Sequence, residues 1–329
     1  MTGWFAALDR AALDRAALDR CPGYAAIGVD VGGTKTAFGL LDGRSLTLVD
    51  RRAIATSRDL GGEVVLRDIA AQAGELADQA RHDNRELTGI GVAVPEIVTR
   101  DGRISSGAVI PRWDELPVAA TLATIAPVHV EADVRAAAFA EATLGAGRSF
   151  GYFVFVTVGT GISYCAVVGG RPFAGHRGGA LNLGTSALAD GVPTLEDTAS
   201  GAALARRYTE LAGRASGASR AEDVLAAARR GDQAAAEVVA HGAKALGIGI
   251  ALLINLLDPE AVVLGGGLGS ADTPYTDEAR RWAMRYVHRF AAETPVLRGA
   301  LGADAGVIGA GLAGLLAQQR SETTTLRRK

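Results

Sequence analysis

The sequence predicts an α/β protein built as two related domains that face each other across a cleft. Three observations carry this. Residues 24–94 read as strand, glycine turn, strand, turn, strand, helix and strand, and a helix between strands is the βαβ pattern of a three-layer α/β domain. The strand, glycine turn, strand unit then recurs at 153–168. A chain of 329 residues with 48% apolar content is long enough to bury one large core or two ordinary ones.

The chain opens with Ala-Ala-Leu-Asp-Arg three times over, at residues 6–20. A step of five residues turns about 140° around a helix, so Leu8, Leu13 and Leu18 form no single stripe. Residues 1–23 are therefore expected to be a low-complexity peripheral extension. The repeated Asp-Arg pairs interrupt any apolar run of the kind a secretory signal needs. Tyr24 to Val31 is apolar and β-branched enough for a strand, Gly32-Gly33-Thr34-Lys35-Thr36 turns it, and Ala37 to Leu41 returns. The turn suits a nucleotide phosphate: consecutive glycines let backbone N–H groups approach an anion, Thr34 adds a hydroxyl, and Asp30 at the strand end can hold hydrated Mg²⁺. It is not a Walker loop, because a strand follows it where that loop must open a helix.

Asp42-Gly43 marks a further turn into a third strand. Gly62 to Ala80 spaces Val64, Val65, Ile69, Ala73, Leu76 and Ala77 as an amphipathic helix, and Leu87 to Val94 is a buried strand stopped by Pro95. Residues 96–117 have little periodicity and are read as loops. Val128 to Asp133 is a short strand with acidic residues at its end, and a helix follows from Arg135 to Leu144. A carboxylate between a strand's end and a helix's start lies at the mouth of an α/β sheet.

In the second half, Phe153 to Val158 and Ile162 to Val168 flank the turn Gly159-Thr160-Gly161. Helices are expected at 199–213, 220–230 and 232–257, with Ala245 to Leu257 a buried stretch. Ala261 to Gly267 is a strand running into three glycines, Gly265, Gly266 and Gly267, which a planar adenine or a ribose can approach closely. Asp277 to Ala292 is read as a helix with Trp282, Tyr286 and Phe290 as a core-facing stripe. A small-residue helix at 306–319 and a frayed tail at 321–329 close the chain.

The net charge of −2 gives no general attraction to nucleic acid or to an anionic membrane, so neither is an expected partner. No stretch is long and uncharged enough to read as a membrane span. The two cysteines, Cys21 and Cys165, supply neither a disulfide framework nor a cysteine zinc site, which points to a reducing cytosol.

With these pieces placed, the chain resembles the ROK family of bacterial sugar kinases and sugar-responsive repressors. The residues that carry the resemblance are Gly28-Val-Asp-Val-Gly-Gly-Thr-Lys35, Val130-Glu-Ala-Asp-Val-Arg-Ala-Ala-Ala138, Val158-Gly-Thr-Gly161, Asn255-Leu-Leu-Asp-Pro-Glu-Ala-Val-Val-Leu-Gly-Gly-Gly267 and Leu301-Gly-Ala-Asp-Ala-Gly-Val-Ile-Gly309. The resemblance implies a two-domain actin-like ATPase (ribonuclease-H-like) fold with an interdomain cleft. It implies a smaller domain at 24–132, a larger one at 133–302, and a C-terminal segment, 303–329, returning to the smaller. It also implies ATP and Mg²⁺ as cofactors and a homodimer. Asp30, Gly32, Gly33, Thr34 and Lys35 would face the ATP phosphates and Mg²⁺, Gly159 to Gly161 would form a second phosphate loop, and Gly265 to Gly267 would lie by the adenosine. Asp133 would be the catalytic base. The physics supports that role, since phosphoryl transfer to an alcohol needs a carboxylate to accept the hydroxyl proton. A helix N-cap is the structural alternative for Asp133.

Candidate acceptor contacts are Glu96, Ala132, Asp133, Asn182, Thr185 and Glu196. The chain departs from the family here: Ala132 and Arg135 stand where the family usually has Asn, its Glu-x-Gly-His becomes Asn182-Leu-Gly-Thr185, and its cysteine-rich zinc loop is reduced to Asp190-Gly-Val-Pro-Thr-Leu-Glu196. A site built on hydrogen bonds discriminates by which bonds it offers. The altered set points to a modified acceptor, an amino sugar or a C7-cyclitol of aminocyclitol antibiotic biosynthesis, ahead of plain glucose. A repressor needs a DNA-reading domain before the first strand, and the five-residue repeat leaves little room for one.

Overall fold

The computed structural model describes residues 23–187, 189–213 and 218–317. The N-terminal repeat, Cys21 and the expected tail at 321–329 lie outside these. The chain divides into two compact units: one holds residues up to Thr143, Gly170–Ala180 and the chain from Asp304; the other holds Leu144–Gly169 and Leu181–Ala303.

The first unit contains β1 (Tyr24–Val31), β2 (Lys35–Asp42), β3 (Leu48–Ala55), α1 (Gly62–His82), β4 (Glu86–Val94), β5 (Val128–Ala132) and α2 (Asp133–Thr143). Its sheet runs β3-β2-β1-β4-β5. The first three strands are antiparallel, and β4 and β5 join β1 in parallel, so the chain ends of β1, β4 and β5 emerge together. The near-continuous burial of β1 and β4 explains the apolar runs read in the sequence. Helix α1 packs on it through Val65, Leu66, Ile69, Ala73 and Leu76. Its first turn has no side-chain cap, and the indole N–H of fully buried Trp113 donates to the Gly62 carbonyl at 3.2 Å. That contact gives the irregular segment 96–117 a packed anchor. A helix at Ala305–Leu315 also lies on this sheet, and the unit begins with it again at Asp304. The boundary with the second unit falls after α2, at Thr143, because α2 packs on this C-terminal helix, which places Asp133 in the first unit.

The second unit contains β6 (Tyr152–Val158), β7 (Ile162–Val168), α3 (Gly201–Ala212), α4 (Ala221–Arg229), α5 (Gln233–Leu257), β8 (Ala261–Gly265), α6 (Pro274–Tyr286) and β9 (Val296–Arg298); we number the Ala305–Leu315 helix α7. Within this unit the strands follow the order β9-β8-β6-β7, with β6 and β7 antiparallel and the other named pairs parallel. Ser200 caps α3 by accepting from the Ala203 N–H at 3.1 Å, and Asp232 caps α5 by accepting from Ala235 at 2.9 Å. Asp258, in the left-handed region, and Pro259 end α5.

Three expectations are corrected here. The aromatic stripe does not face the core. Helix α6 starts at Pro274 and stops at Tyr286, so Phe290 falls in a separate turn and is 73% exposed, while Tyr286 stacks on Trp282 near the surface. The stop has a cause distant in sequence: the Asn255 side chain donates to the Tyr286 carbonyl and accepts from the His288 N–H, both at 2.9 Å. The stretch Ala245 to Leu257 is only partly buried. Ile248, Leu252 and Leu256 share one exposed face of α5, while Leu246, Ile250, Leu253 and Ile254 belong to the core. Among the described residues α5 alone is long and apolar enough to cross a membrane by length and composition, and that buried face ties it to the core. Finally, β8 ends at Gly265, because Gly266 takes a left-handed conformation at φ 76° and opens a short helical turn.

Candidate active site

In the first unit Asp30 sits one residue before the end of β1, and the glycine turn begins beyond it. The turn is held by its own backbone: the Gly32 N–H donates to the Lys35 carbonyl at 3.0 Å, and the Thr34 carbonyl accepts from Thr56 at 2.9 Å. Thr34 and Lys35 are exposed. The Asp30 carboxylate lies over the first turn of α7, where a side chain at Gly306 would strike it. Gly306 is therefore required by Asp30, and the helix N-terminus supplies a favourable field for its charge.

Burial pushes the Asp30 carboxyl up to about 7; ionised Asp133 adds to the rise, and Lys35 opposes it. Asp133 follows β5 and opens α2. Burial raises it to about 6; the Val134 N–H and Arg135 counter that push, and Glu96 reinforces it. Both side chains keep some solvent exposure within enclosed surroundings. Asp133 does not bond back onto a later turn of α2 as an N-cap would. Its Oδ1 accepts from the adjacent Val134 N–H at 2.6 Å, which leaves Oδ2 for a partner from outside.

Both oxygens of Glu96 are engaged by the loop that follows it. Oε1 accepts from the backbone of Val109 and Ile110, both at 2.8 Å, and Oε2 accepts from the Ser106 hydroxyl at 2.6 Å and the Ala108 N–H at 3.1 Å. The buried carboxylate is spent on folding the loop 106–110 around itself, as an anchor must be when its charge is withdrawn from water. Ala132 is buried, and its N–H donates to Glu131 Oε1 at 2.8 Å, so it offers an acceptor no side-chain hydrogen bond.

In the second unit the Gly159–Gly161 turn closes on itself, with the Gly159 N–H donating to the Gly161 carbonyl at 2.9 Å. Glu196 is drawn into this turn: its Oε2 accepts from Ile162 N–H at 2.7 Å, and a side chain at Gly161 would press on the carboxylate. Segment 181–185 is fixed to the same place, because the Gly184 carbonyl accepts from Glu196 N–H at 2.9 Å and the Leu181 carbonyl accepts from the Ser163 hydroxyl at 2.8 Å. Thr160, Asn182 and Thr185 are all exposed. The structure thus gathers Gly159 to Gly161, Asn182, Thr185 and Glu196 around one hairpin. The three glycines 265–267 differ in use. Gly265 makes room for the Phe155 ring and Gly266 for the Val158 carbonyl, while Gly267 alone leaves open space for a ligand.

Two neighbours of the first unit's turn escaped sequence reasoning. Arg58 Nη1 and Val109 flank Gly33, and a hollow of about 450 Å³ beside them is lined by Arg58, Asp59, Leu60, Gly61, Val109 and Pro111. Gly306 was visible within Ala-Asp-Ala-Gly-Val-Ile-Gly309, but nothing local ties it to Asp30. Among the described residues no group of three or more His, Cys, Asp or Glu is placed to hold a metal ion alone. Asp30 fits Mg²⁺ in a different way: it is an enclosed carboxylate whose charge no hydrogen bond among the described residues supports, beside a turn suited to phosphate, and Mg²⁺ is commonly held by one or two carboxylates together with substrate phosphates.

An α/β chain with a glycine turn at the end of one strand and a lone carboxylate at the end of another has the parts of an actin-like phosphotransferase, and its fold is of that ATPase class. The chain belongs to the ROK family, whose model matches residues 26–319. It is 33% identical over 310 residues to a glucokinase of Halalkalibacterium halodurans, covering 87% of this chain and 93% of that one. It is 33% identical over 317 residues to the bifunctional enzyme NanE/NanK of Brucella melitensis; the match takes in 94% of this chain but 56% of the relative, so the chain spans about half that protein's length. A crystal structure of a ROK family glucokinase from Streptomyces griseus in complex with glucose and AMPPNP superposes with a TM-score of 0.76 at 26% identity, covering 88% of this chain and 99% of the other.

Proposed function

We propose that this chain is an ATP-dependent kinase that transfers the γ-phosphoryl group to the primary hydroxyl of a sugar-like acceptor, a C7-cyclitol of the valiolone or valienol type or an amino sugar. The observation that carries the reading is the pairing of Asp30, at the glycine turn, with Asp133, whose Oδ2 is left for an incoming proton. Asp133 accepts the hydroxyl proton as the acceptor oxygen bonds to the γ-phosphorus, the bond to the β-phosphate oxygen breaks, and ADP leaves. Gly32, Gly33 and Thr34 present backbone and hydroxyl donors to the phosphates, with Lys35 and Arg58 adding positive charge beside them. Asp30 would hold Mg²⁺ through its hydration shell, and that ion would spread the charge growing on the transferred group. Gly159 to Gly161 and Gly267 are assigned to the nucleotide, and Asn182, Thr185 and Glu196 to the acceptor. The match to the glucokinase crystallised with AMPPNP supports ATP as the donor.

The acceptor choice rests on what this chain withholds. Ala132 has no polar side chain, Glu96 is occupied by its own loop, and Thr185 replaces a histidine of the family pattern. A site that offers fewer partners for ring hydroxyls loses its preference for the fully hydroxylated ring. The second reading is a glucokinase, which the Halalkalibacterium halodurans relative and the retained Glu196 favour. ADP release measured against hexoses, amino sugars and cyclitols separates the two. The first reading expects kcat/KM for an amino sugar or a cyclitol to exceed that for glucose; glucose as the best acceptor gives the second, and silence with every acceptor rejects both.

A further inference from the structure

Arg135 stands on the first turn of α2, two residues beyond Asp133, and is 1% exposed. A guanidinium withdrawn from water must have its charge balanced and its donors satisfied. Here Nε donates to Glu131 Oε1 at 2.6 Å, Nη1 to the Gly178 carbonyl at 2.6 Å, and Nη2 to the Val98 carbonyl at 2.7 Å. These partners come from three separate stretches: the end of β5, the loop after β4, and segment 170–180. The two loops also touch each other, since a side chain at Gly178, at φ 91°, would overlap the Val98 carbonyl. Two carbonyl oxygens so converging repel unless a cation lies between them.

The loop after β4 is placed to matter for an acceptor, and segment 175–180 packs on it at Gly178. Strands β4 and β5 are parallel neighbours with Val94 paired to Ala132, so the loop that leads to Val98 starts beside Asp133. In α/β sheets ligands bind at these carboxyl ends. Ile97 and Val98 continue into a turn closed by the Val98–Ile104 bridge, which the guanidinium therefore holds at its base.

We infer that Arg135 is a positioning residue for the phosphoacceptor: it joins the loop at 96–104 and the segment 175–180 to the helix that carries Asp133, and so fixes where the acceptor hydroxyl lies. The inference rests on the kinase reading. With its guanidinium committed to Glu131 and the two carbonyls, Arg135 acts through the loops it holds. A lysine keeps the charge but cannot reach all three partners, and a bidentate or forked site is where such a change is not conservative.

The test is steady-state kinetics on Arg135→Lys, and on the double variant Glu131→Gln with Arg135→Gln, which leaves no buried charge unpaired should the single variant fold poorly. Thermal unfolding is recorded for each. For both, kcat/KM for the best acceptor is expected to fall about 10- to 100-fold, the scale of a small misplacement, through a rise in acceptor KM, while KM for ATP stays within about twofold. Normal acceptor KM in either folded variant overturns the inference, as does an equal loss toward ATP and acceptor. Failure of both variants to fold also overturns it, in favour of a purely structural role. A wild-type chain that turns over no acceptor rejects the kinase reading and this inference together, which separates that outcome from the others.

Discussion

At the residue scale the burden falls on two carboxylates whose charge the surroundings resist. Asp30 and Asp133 ionise in the folded chain near 7 and near 6, against the ordinary 3.8. The folded state thus retains protons that the unfolded chain has released, so the stability these groups contribute is fully present below about pH 3.8 and is lost as pH rises through 6 to 7. Asp133→Asn removes one of these charges. It is expected to lower kcat by roughly two or more orders of magnitude with nucleotide affinity unchanged. The same variant should be more stable than the wild type by on the order of 1 kcal/mol at pH 8, and by little at pH 4. Initial rates, calorimetric titration with a nucleotide and denaturant melts at the two pH values check this; near-normal rates would remove Asp133 from the role of base. Below about pH 6, kcat/KM should fall as Asp133 takes up its proton.

At the element scale the first unit depends on how closely α7 lies on its sheet. Side chains added at Gly28 and Gly91 would overlap the Val307 and Ala310 carbonyls, and one added at Gly309 would overlap the Ala136 carbonyl of α2. Backbone cannot yield as a flexible side chain does, so Gly91→Ala is expected to destabilise by about 3 kcal/mol or more. Gly74, in the middle of α1, meets nothing within 4 Å, and Gly74→Ala should stabilise by roughly 0.5–1 kcal/mol. Urea melts of the pair decide it, and equal effects would contradict the packing.

Elements were also where the sequence was most and least readable. The hairpins β1–β2 and β6–β7 announced themselves, because unbroken apolar runs flanking paired glycines have few other uses. The end of α6 was invisible, since the amide that stops it belongs to Asn255, thirty-one residues away. The partners of Glu96 were hidden for the same reason: the four donors that fold onto its carboxylate come from residues 106–110. Asp30 and Asp133 were legible from their places at strand ends, whereas Arg135 could be marked as unusual but not given its partners, which come from loops 37 and 43 residues away.

At the scale of the whole molecule, no cluster of metal-binding side chains among the described residues holds either unit together. Chelation with EDTA is therefore expected to leave Tm unchanged, whereas loss of a structural zinc ion would withdraw roughly 10 kcal/mol or more. Mg²⁺ with a non-hydrolysable ATP analogue at a hundred times its Kd should add about 2.7 kcal/mol and raise Tm by a few degrees. Differential scanning calorimetry with and without each addition is the check; a chelator that unfolds the chain would defeat the expectation.

The two tryptophans among the described residues fall one to each unit, and their settings are opposite. Trp113 is sealed against α1, while Trp282 is partly wetted, stacked on Tyr286 and covered by the cations of Lys244 and Arg285. Once Trp4 is replaced, a chain retaining only Trp113 should emit at the blue end and one retaining only Trp282 further to the red. Either emission then dates the melting of its own half of the protein, and shows whether the halves come apart in one event or two.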